Sequence, residues 1–264
     1  MCSVARVRPG VLYICVTAVG PPVRLLVMRE ILFGPNDPFC GPLLADGDGS
    51  IVFSFGTGDR VEGLWDPGPS GPRGHVIGPI LAGRSAWPGK HFDTFGAYCH
   101  AGQAGRFVPV EELTDRIVAL EDVWSSREWE NELGETTGDS ERLDLFEAEL
   151  LRRLNERSSP VDLAGLAASI HRRRGQVNVQ DLADSAGVSR QRLARLFREG
   201  IGVTPKMYAR IVRFRASLDS LNRGAPLAAE LGYFDQSHMI AEFKEFSGLT
   251  PGTLIAERYF HPFA

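Results

Sequence analysis

Val179-Gln180-Asp181-Leu182-Ala183-Asp184-Ser185-Ala186-Gly187-Val188-Ser189-Arg190-Gln191-Arg192-Leu193-Ala194-Arg195-Leu196-Phe197 is the stretch whose reading decides the fold. Leu182, Ala183 and Ala186 recur at the spacing of one face of a short helix. Gly187 can take the left-handed backbone that ends such a helix tightly. Val188 plugs the corner. Ser189 is a good N-cap for the helix that follows, because its hydroxyl can accept from an amide that has no partner in the helix. Leu193, Leu196 and Phe197 face inward, which leaves Arg190, Gln191, Arg192 and Arg195 outside. A short helix, a glycine corner and a second helix with an outward Arg/Gln stripe make a helix-turn-helix pattern. In that design the second helix enters the major groove of DNA with its N-terminal residues at base edges. Arginine pairs bidentately with guanine there, and glutamine with adenine.

One glycine corner in a helical region is a weak signal, and a repeat changes its weight. Leu227-Ala228-Ala229-Glu230-Leu231-Gly232-Tyr233-Phe234-Asp235-Gln236-Ser237-His238-Met239-Ile240-Ala241-Glu242-Phe243-Lys244 follows the same logic. Gly232 gives the corner, Asp235 the cap, and Met239, Ile240 and Phe243 the inward face. Gln236, Ser237, His238 and Lys244 are the residues left for DNA, and His238 has local capping or packing as its alternative. Each unit is followed by Gly-x-Thr-Pro, at Gly202-Val203-Thr204-Pro205 and Gly248-Leu249-Thr250-Pro251. There threonine caps the next helix and proline suits its first turn. The prolines of the two copies are 46 residues apart, at Pro205 and Pro251.

Charge supports a split chain. The 264 residues carry a formal net charge of −4, which taken alone disfavours nucleic acid as a partner. Residues 160–264 hold 14 Lys/Arg against 10 Asp/Glu, whereas residues 1–159 hold 15 against 23. An acidic front joined to a basic rear is expected when one domain meets phosphates and the other does not. With 43% apolar and 23% charged residues the composition is that of an ordinary globular chain. The linker is placed at Arg157-Ser158-Ser159-Pro160.

From about Val177 to Tyr259 the chain resembles the DNA-binding domain of the AraC/XylS family of bacterial regulators. The resemblance rests on Gly232-Tyr233-Phe234-Asp235-Gln236-Ser237-His238 through Phe243-Lys244 and on Gly248-Leu249-Thr250-Pro251, with the first unit upstream at family spacing. It implies a long helix joining the two units, here Lys206 to Leu221. Arg210, Arg213 and Arg215 on that helix would touch phosphates or pair within the domain. The chain departs from the family at Ala241, where members often carry arginine, and the next residue is the acidic Glu242. The second unit is therefore expected to dock on the backbone more than it reads bases. The partner so implied is double-stranded DNA at a promoter or operator, and the setting the cytoplasm of a bacterium.

The front half is rich in glycine and proline between short β-type runs: Ser50–Phe55 with a turn at Gly56–Asp59, Val76–Leu81, and Phe92–Tyr98. A short helical turn is expected at Pro109–Leu113. Helices are expected from Leu120 to about Leu133 and over Ser140–Arg153, with a loop at Gly134–Asp139. The fold class is thus α+β, a β-rich mixed N-terminal domain followed by an all-α domain. Pro42–Phe53, Ile77-Gly78-Pro79 and Leu113–Val118 resemble an N-terminal domain of some AraC-type regulators. That implies a sensory or dimerisation role, with a small-molecule effector, a second copy of the chain or RNA polymerase as its partners. Residues 28–157 would form this domain and 158–264 the DNA-binding one. Residues 1–27 read as a non-native or disordered extension, with translation starting at Met28. The apolar run Val11–Val19 is shorter than the roughly 20 residues that span a bilayer.

No cofactor or catalytic residue is expected. The rival is an enzyme fused to a DNA-binding tail, for which Cys40 and Cys99 are the nucleophile candidates. His75, His91, Cys99 and His100 match no zinc pattern of close paired ligands, so no metal is expected. Asp46 and Asp48 read as turn residues. Trp65, Trp87, Trp124 and Trp129 read as core, with an effector pocket as their alternative.

Overall fold

The computed structural model describes residues 3–8, 11–16, 23–31, 42–43, 49–54, 60–61, 73–87, 92–99, 103–125, 127–154, 159–222 and 231–256. The described residues of the front half supply ten strands: β1 (Ser3–Arg8), β2 (Val11–Val16), β3 (Val23–Ile31), β4 (Pro42–Leu43), β5 (Gly49–Ser54), β6 (Arg60–Val61), β7 (Arg73–Ile77), β8 (Arg84–Trp87), β9 (Phe92–Cys99) and β10 (Ile117–Ala119). Seven form one antiparallel sheet in the order β1-β2-β3-β9-β5-β7-β10, and β4-β8-β6 form a smaller one. Ile51 in β5 lies opposite Ala97 of β9 on one side and Val76 of β7 on the other. β5 and β9 fall where the β-branched and aromatic runs place them. The expected start at Met28 falls within β3, and residues 3–8 and 11–16 form a hairpin that pairs onto that strand. The Gly56–Asp59 turn, Asp46, Asp48, Cys40, Trp65, His91 and His100 lie outside the described residues.

The strand expected over Val76–Leu81 is shifted: β7 runs Arg73–Ile77 and stops at Gly78-Pro79. Proline has no amide proton for a ladder. Beyond it the chain turns out of the sheet, with Asp115 N–H donating to Pro79 O at 2.9 Å and Leu81 N–H to Asp115 Oδ1 at 2.7 Å. Three helices complete the front half: α1 (Leu120–Trp124), α2 (Arg127–Glu135) and α3 (Asp139–Leu154). Gly134 is in α2, so the loop is confined to residues 136–138.

The front core gathers Val76, Ala97, Cys99, Phe107, Leu120, Trp124, Leu133, Phe146 and Leu150. Trp124 is core, its indole N–H donating to Phe107 O at 3.1 Å, and Trp129 packs edge-on against it at 5.8 Å between centroids. Cys99 is fully buried there, a core thiol with no access to a substrate. His75 is buried too, and burial pushes its pKa down to about 4. Among the described residues no group of three His, Cys, Asp or Glu is placed to hold a metal ion.

The rear half is helical throughout its described residues: α4 (Leu163–Arg172), α5 (Val179–Ser185), α6 (Arg190–Ile201), α7 (Pro205–Asn222), α8 (Gln236–Ser247) and α9 (Pro251–Ala256). It has two cores. Leu163, Ala167 and Ile170 of α4, Leu182 and Ala183 of α5, and Leu193, Leu196 and Phe197 of α6 surround one. Met239, Phe243 and Phe246 of α8 and Leu254 of α9 surround the other. α7 serves both, giving Tyr208, Ala209 and Val212 to the first and Ile211, Phe214, Leu218 and Leu221 to the second. A helix that packs on two sides is apolar on two faces, unlike a surface helix with one stripe.

The front half reaches into this arrangement. Leu81 packs against both rear cores. Thr114 Oγ1 donates to Gly202 O at 2.8 Å, just past the end of α6. The 3-10 turn Ala104–Arg106 lies against α6, and the Gly83 backbone backs onto Ser247, the last residue of α8. The front half thus touches the C-terminal ends of both α6 and α8.

Candidate nucleic-acid interface

The two corners expected from sequence are present and built alike. Gly187 (φ +65°) and Gly232 (φ +76°) both adopt the left-handed backbone that a side chain disfavours. Ser189 Oγ accepts from Arg192 N–H at 3.2 Å, and Asp235 Oδ1 accepts from His238 N–H at 2.7 Å. Each cap satisfies one of the amides that open a helix, the expected role of both residues. Leu227 and Ala228, expected on the first helix of the second unit, lie outside the described residues.

On α6 the division into faces is clean. Leu193 and Phe197 are fully buried and Leu196 nearly so, while Arg190, Gln191, Arg192 and Arg195 are all exposed. Arg195 reaches Glu199 one turn along at 3.6 Å, with both side chains about half exposed. An exposed pair of this kind is worth no more than about 1 kcal/mol and does not hold the guanidinium back from a phosphate or base. On α8 Met239 and Phe243 are buried and Ile240 is half-buried. Gln236, Ser237, His238 and Lys244 are exposed. His238 also has the local role that was its alternative: its Nδ1 accepts from Phe234 N–H at 3.4 Å and its ring meets Tyr233 edge-on.

Two features of the second unit escaped the sequence reading. Phe234 is 93% exposed at the corner, one residue before the cap. An aromatic side chain this exposed stands out beside the buried rings around it, and only its exposure reveals it. The second feature is Glu242, which is 2% exposed and turned away from the outer face of α8. Its carboxylate accepts from Arg213 Nη2 at 2.8 Å and from Arg210 Nε at 3.1 Å, while Arg210 also grips Glu245 at 2.6 Å. Arg213 stacks over the Tyr233 ring at 4.9 Å. Of the two roles open to Arg210 and Arg213, the structure selects pairing within the domain: they clasp α8 to α7. Ala241, beside Glu242, is exposed.

A family model described as a helix-turn-helix domain matches residues 182–257. No curated protein matches the chain. Among solved structures the chain is similar to ToxT from Vibrio cholerae, at 9% identity over 89% of this chain and 98% of that one, with a TM-score of 0.48. It is similar also to unsaturated fatty acid-bound wild-type ToxT from Vibrio cholerae strain SCE256, at 9% identity over 91% and 97% with a TM-score of 0.46. A third is ToxT from Vibrio cholerae O395, at 10% identity over 90% and 98% with a TM-score of 0.44. Two glycine corners, two capped helices with outward polar stripes and the family match coincide on the same residues. The rear of this chain is an AraC-type helix-turn-helix DNA-binding domain, and the protein is a DNA-binding transcription regulator.

Proposed function

We propose that the regulator reads a specific operator by placing α6 in one major groove and α8 in the next on the same face of the duplex, about 34 Å apart. The observation that carries this is the shared construction of α6 and α8. Each begins at a side-chain cap, presents exposed polar residues in its first turn, and packs its opposite face on α7. Arg190, Gln191, Arg192 and Arg195 read bases or grip phosphates from the first unit, with Ser189 at the cap. Gln236, Ser237, His238 and Lys244 do so from the second, and Phe234 meets a thymine methyl or a sugar. The first unit carries most of the base reading, since a bidentate arginine–guanine pair is worth about 1–3 kcal/mol of discrimination. The front domain biases DNA binding from the seam at Leu81 and Thr114, in response to a small-molecule effector, a second copy or RNA polymerase. The setting is cytoplasmic; among the described residues no helix is long and apolar enough to cross a membrane.

The test is a gel shift of the full chain on DNA upstream of its own gene, at two salt concentrations. Wild type is expected to bind specifically and more weakly at high salt. Arg190→Ala/Arg195→Ala is expected to lose about a hundredfold or more, and Gln236→Ala/His238→Ala less than about tenfold. Equal loss in the two double variants would give the units equal shares in reading. No loss in either would remove both helices from the groove.

A further inference from the structure

The end of α4 and the loop from it to α5 read His171-Arg172-Arg173-Arg174-Gly175-Gln176-Val177-Asn178. Arg172, Arg173 and Arg174 are all exposed, and among the described residues none of the three is tied up in an ion pair. Arg210 and Arg213, by contrast, are consumed by Glu242 and Glu245. Three neighbouring cations without counter-charges repel one another, and a flexible loop would let them spread apart. This loop is held by several bonds. Arg174 N–H donates to His171 O, Gly175 N–H to Ile170 O and Gln176 N–H to Arg173 O, each at 2.9 Å. Arg174 (φ +51°) and Gly175 (φ +75°) are consecutive left-handed residues, and a non-glycine residue seldom takes that conformation.

The loop is also fixed in place between the two units. His171 Nε2 lies 2.8 Å from the Tyr208 hydroxyl of α7. The Gly175 backbone sits so close to α7 that a Cβ there would come within 2.7 Å of Arg213 N. The Gln176 side chain lies over the corner of the second unit, 2.8 Å from where a Cβ on Gly232 would stand. Three residues beyond Gly232, Asp235 opens α8. At the other end of the loop Asn178 Oδ1 accepts from Gln180 N–H at 2.7 Å and opens α5. In a helix-turn-helix unit the first helix crosses the DNA backbone and the second starts at the base edges, and in a related three-helix design the loop before the middle helix touches the backbone. On that pattern the starts of α5 and α8 belong to the DNA-facing side, and the loop that follows the arginines reaches from the second corner, which Gln176 covers, to the α5 cap at Asn178.

We propose that Arg172, Arg173 and Arg174 form a phosphate-binding platform for the DNA backbone between the two major-groove sites, an inference that rests on the two-groove reading above. Guanidinium forks match phosphate oxygens bidentately. Contacts of this kind set register and affinity and carry no base information. A cation that neutralises one phosphate adds about 0.9 to the slope of log K against log salt.

The experiment compares the full chain with Arg172→Gln/Arg173→Gln/Arg174→Gly and with Arg172→Lys/Arg173→Lys/Arg174→Lys. Glycine at position 174 suits the left-handed backbone, so the first variant keeps the loop, and the lysine variant keeps the charge. Each is titrated against a duplex that the wild-type chain enriches from a random-sequence library, and against a scrambled duplex, over a range of salt. The neutral variant is expected to lower the steepness of the salt dependence by about 2 to 3. It should weaken both duplexes by the same factor, leaving their ratio intact, while the lysine variant keeps the wild-type slope. A wild-type slope in the neutral variant, or a lost duplex ratio with the slope kept, overturns the platform alone. A wild-type chain that enriches no sequence and shows no salt dependence overturns the two-groove reading and the platform with it.

Discussion

The two helix-turn-helix units share a scaffold and differ in what they do with charge. In the first, arginines at 190, 192 and 195 stand on the exposed face of α6, and the core beneath holds apolar side chains and the Tyr208 ring. In the second the exposed face of α8 carries one lysine, and the arginines and an acid are drawn into the seam with α7. The same residue type that stands exposed in one unit holds the fold in the other. An arginine is free for recognition only where no buried acid claims it, as the exposed Arg195–Glu199 pair and the buried Glu242 clasp show.

The largest effect that would sharpen this contrast is expected at Glu242. Glu242→Gln leaves the Arg213 guanidinium without its carboxylate and Arg210 with Glu245 alone, and breaking a buried pair costs about 3 kcal/mol. The loss should stay in the second unit: hydrogen exchange in α8 is expected to accelerate while α6 keeps its protection. Uniform loss across both units would show that they unfold as one. Replacing the whole cluster by apolar residues, Arg210→Met/Arg213→Met/Glu242→Leu, is expected to restore most of the stability.

A smaller difference should appear at alkaline pH. Burial raises the pKa of Tyr233 to about 12, while its hydroxyl accepts from Ser217 Oγ at 3.3 Å. The unfolded chain releases this proton near pH 10 and the folded chain holds it to about 12. The stabilisation is therefore full below about pH 10 and is lost as the pH rises from there to about 12, a change of the order of 2 kcal/mol. Tyr233→Phe should flatten the second unit's denaturation midpoint over that range. An unchanged pH profile would place the alkaline transition elsewhere.

The smallest effect is a gain. Ala241→Arg adds an exposed cation to α8 without touching the Glu242 clasp. It is expected to tighten binding to all duplexes by less than about tenfold and to steepen the salt dependence by about 1. A change in sequence preference instead would mean that the residue reaches a base.

Both reading units were legible because their signals are local. A glycine corner, a Ser or Asp cap and apolar residues three and four apart lie within some twenty residues, and the structure starts α6 and α8 directly after the expected caps Ser189 and Asp235 and places α7 within one residue of its expected bounds. Glu242 was not legible. In sequence it sits beside an exposed alanine, and the arginines that bury it lie 29 and 32 residues upstream. Leu81 is a similar case: nothing in Pro79-Ile80-Leu81 announces that the side chain packs against cores more than eighty residues away. The order of the seven-stranded sheet was hidden for the same reason, since β3 pairs with β9 across the whole front half. The loop arginines were visible as letters, but only their shared exposure and the backbone that fixes them give them a place.

The two cores that share α7 have a consequence for the operator as an object. A helix packed on both sides, clasped to α8 by Arg210 and Arg213 and wedged by Leu81, is a calliper of fixed opening. One base pair inserted between the half-sites moves the second by about 3.4 Å and turns it by about 34° around the duplex axis. A half-turn insertion hides that site on the far side of the DNA, and a full-turn insertion returns it to the right side but beyond reach. For this regulator the phase of the double helix is as much a part of the message as the letters.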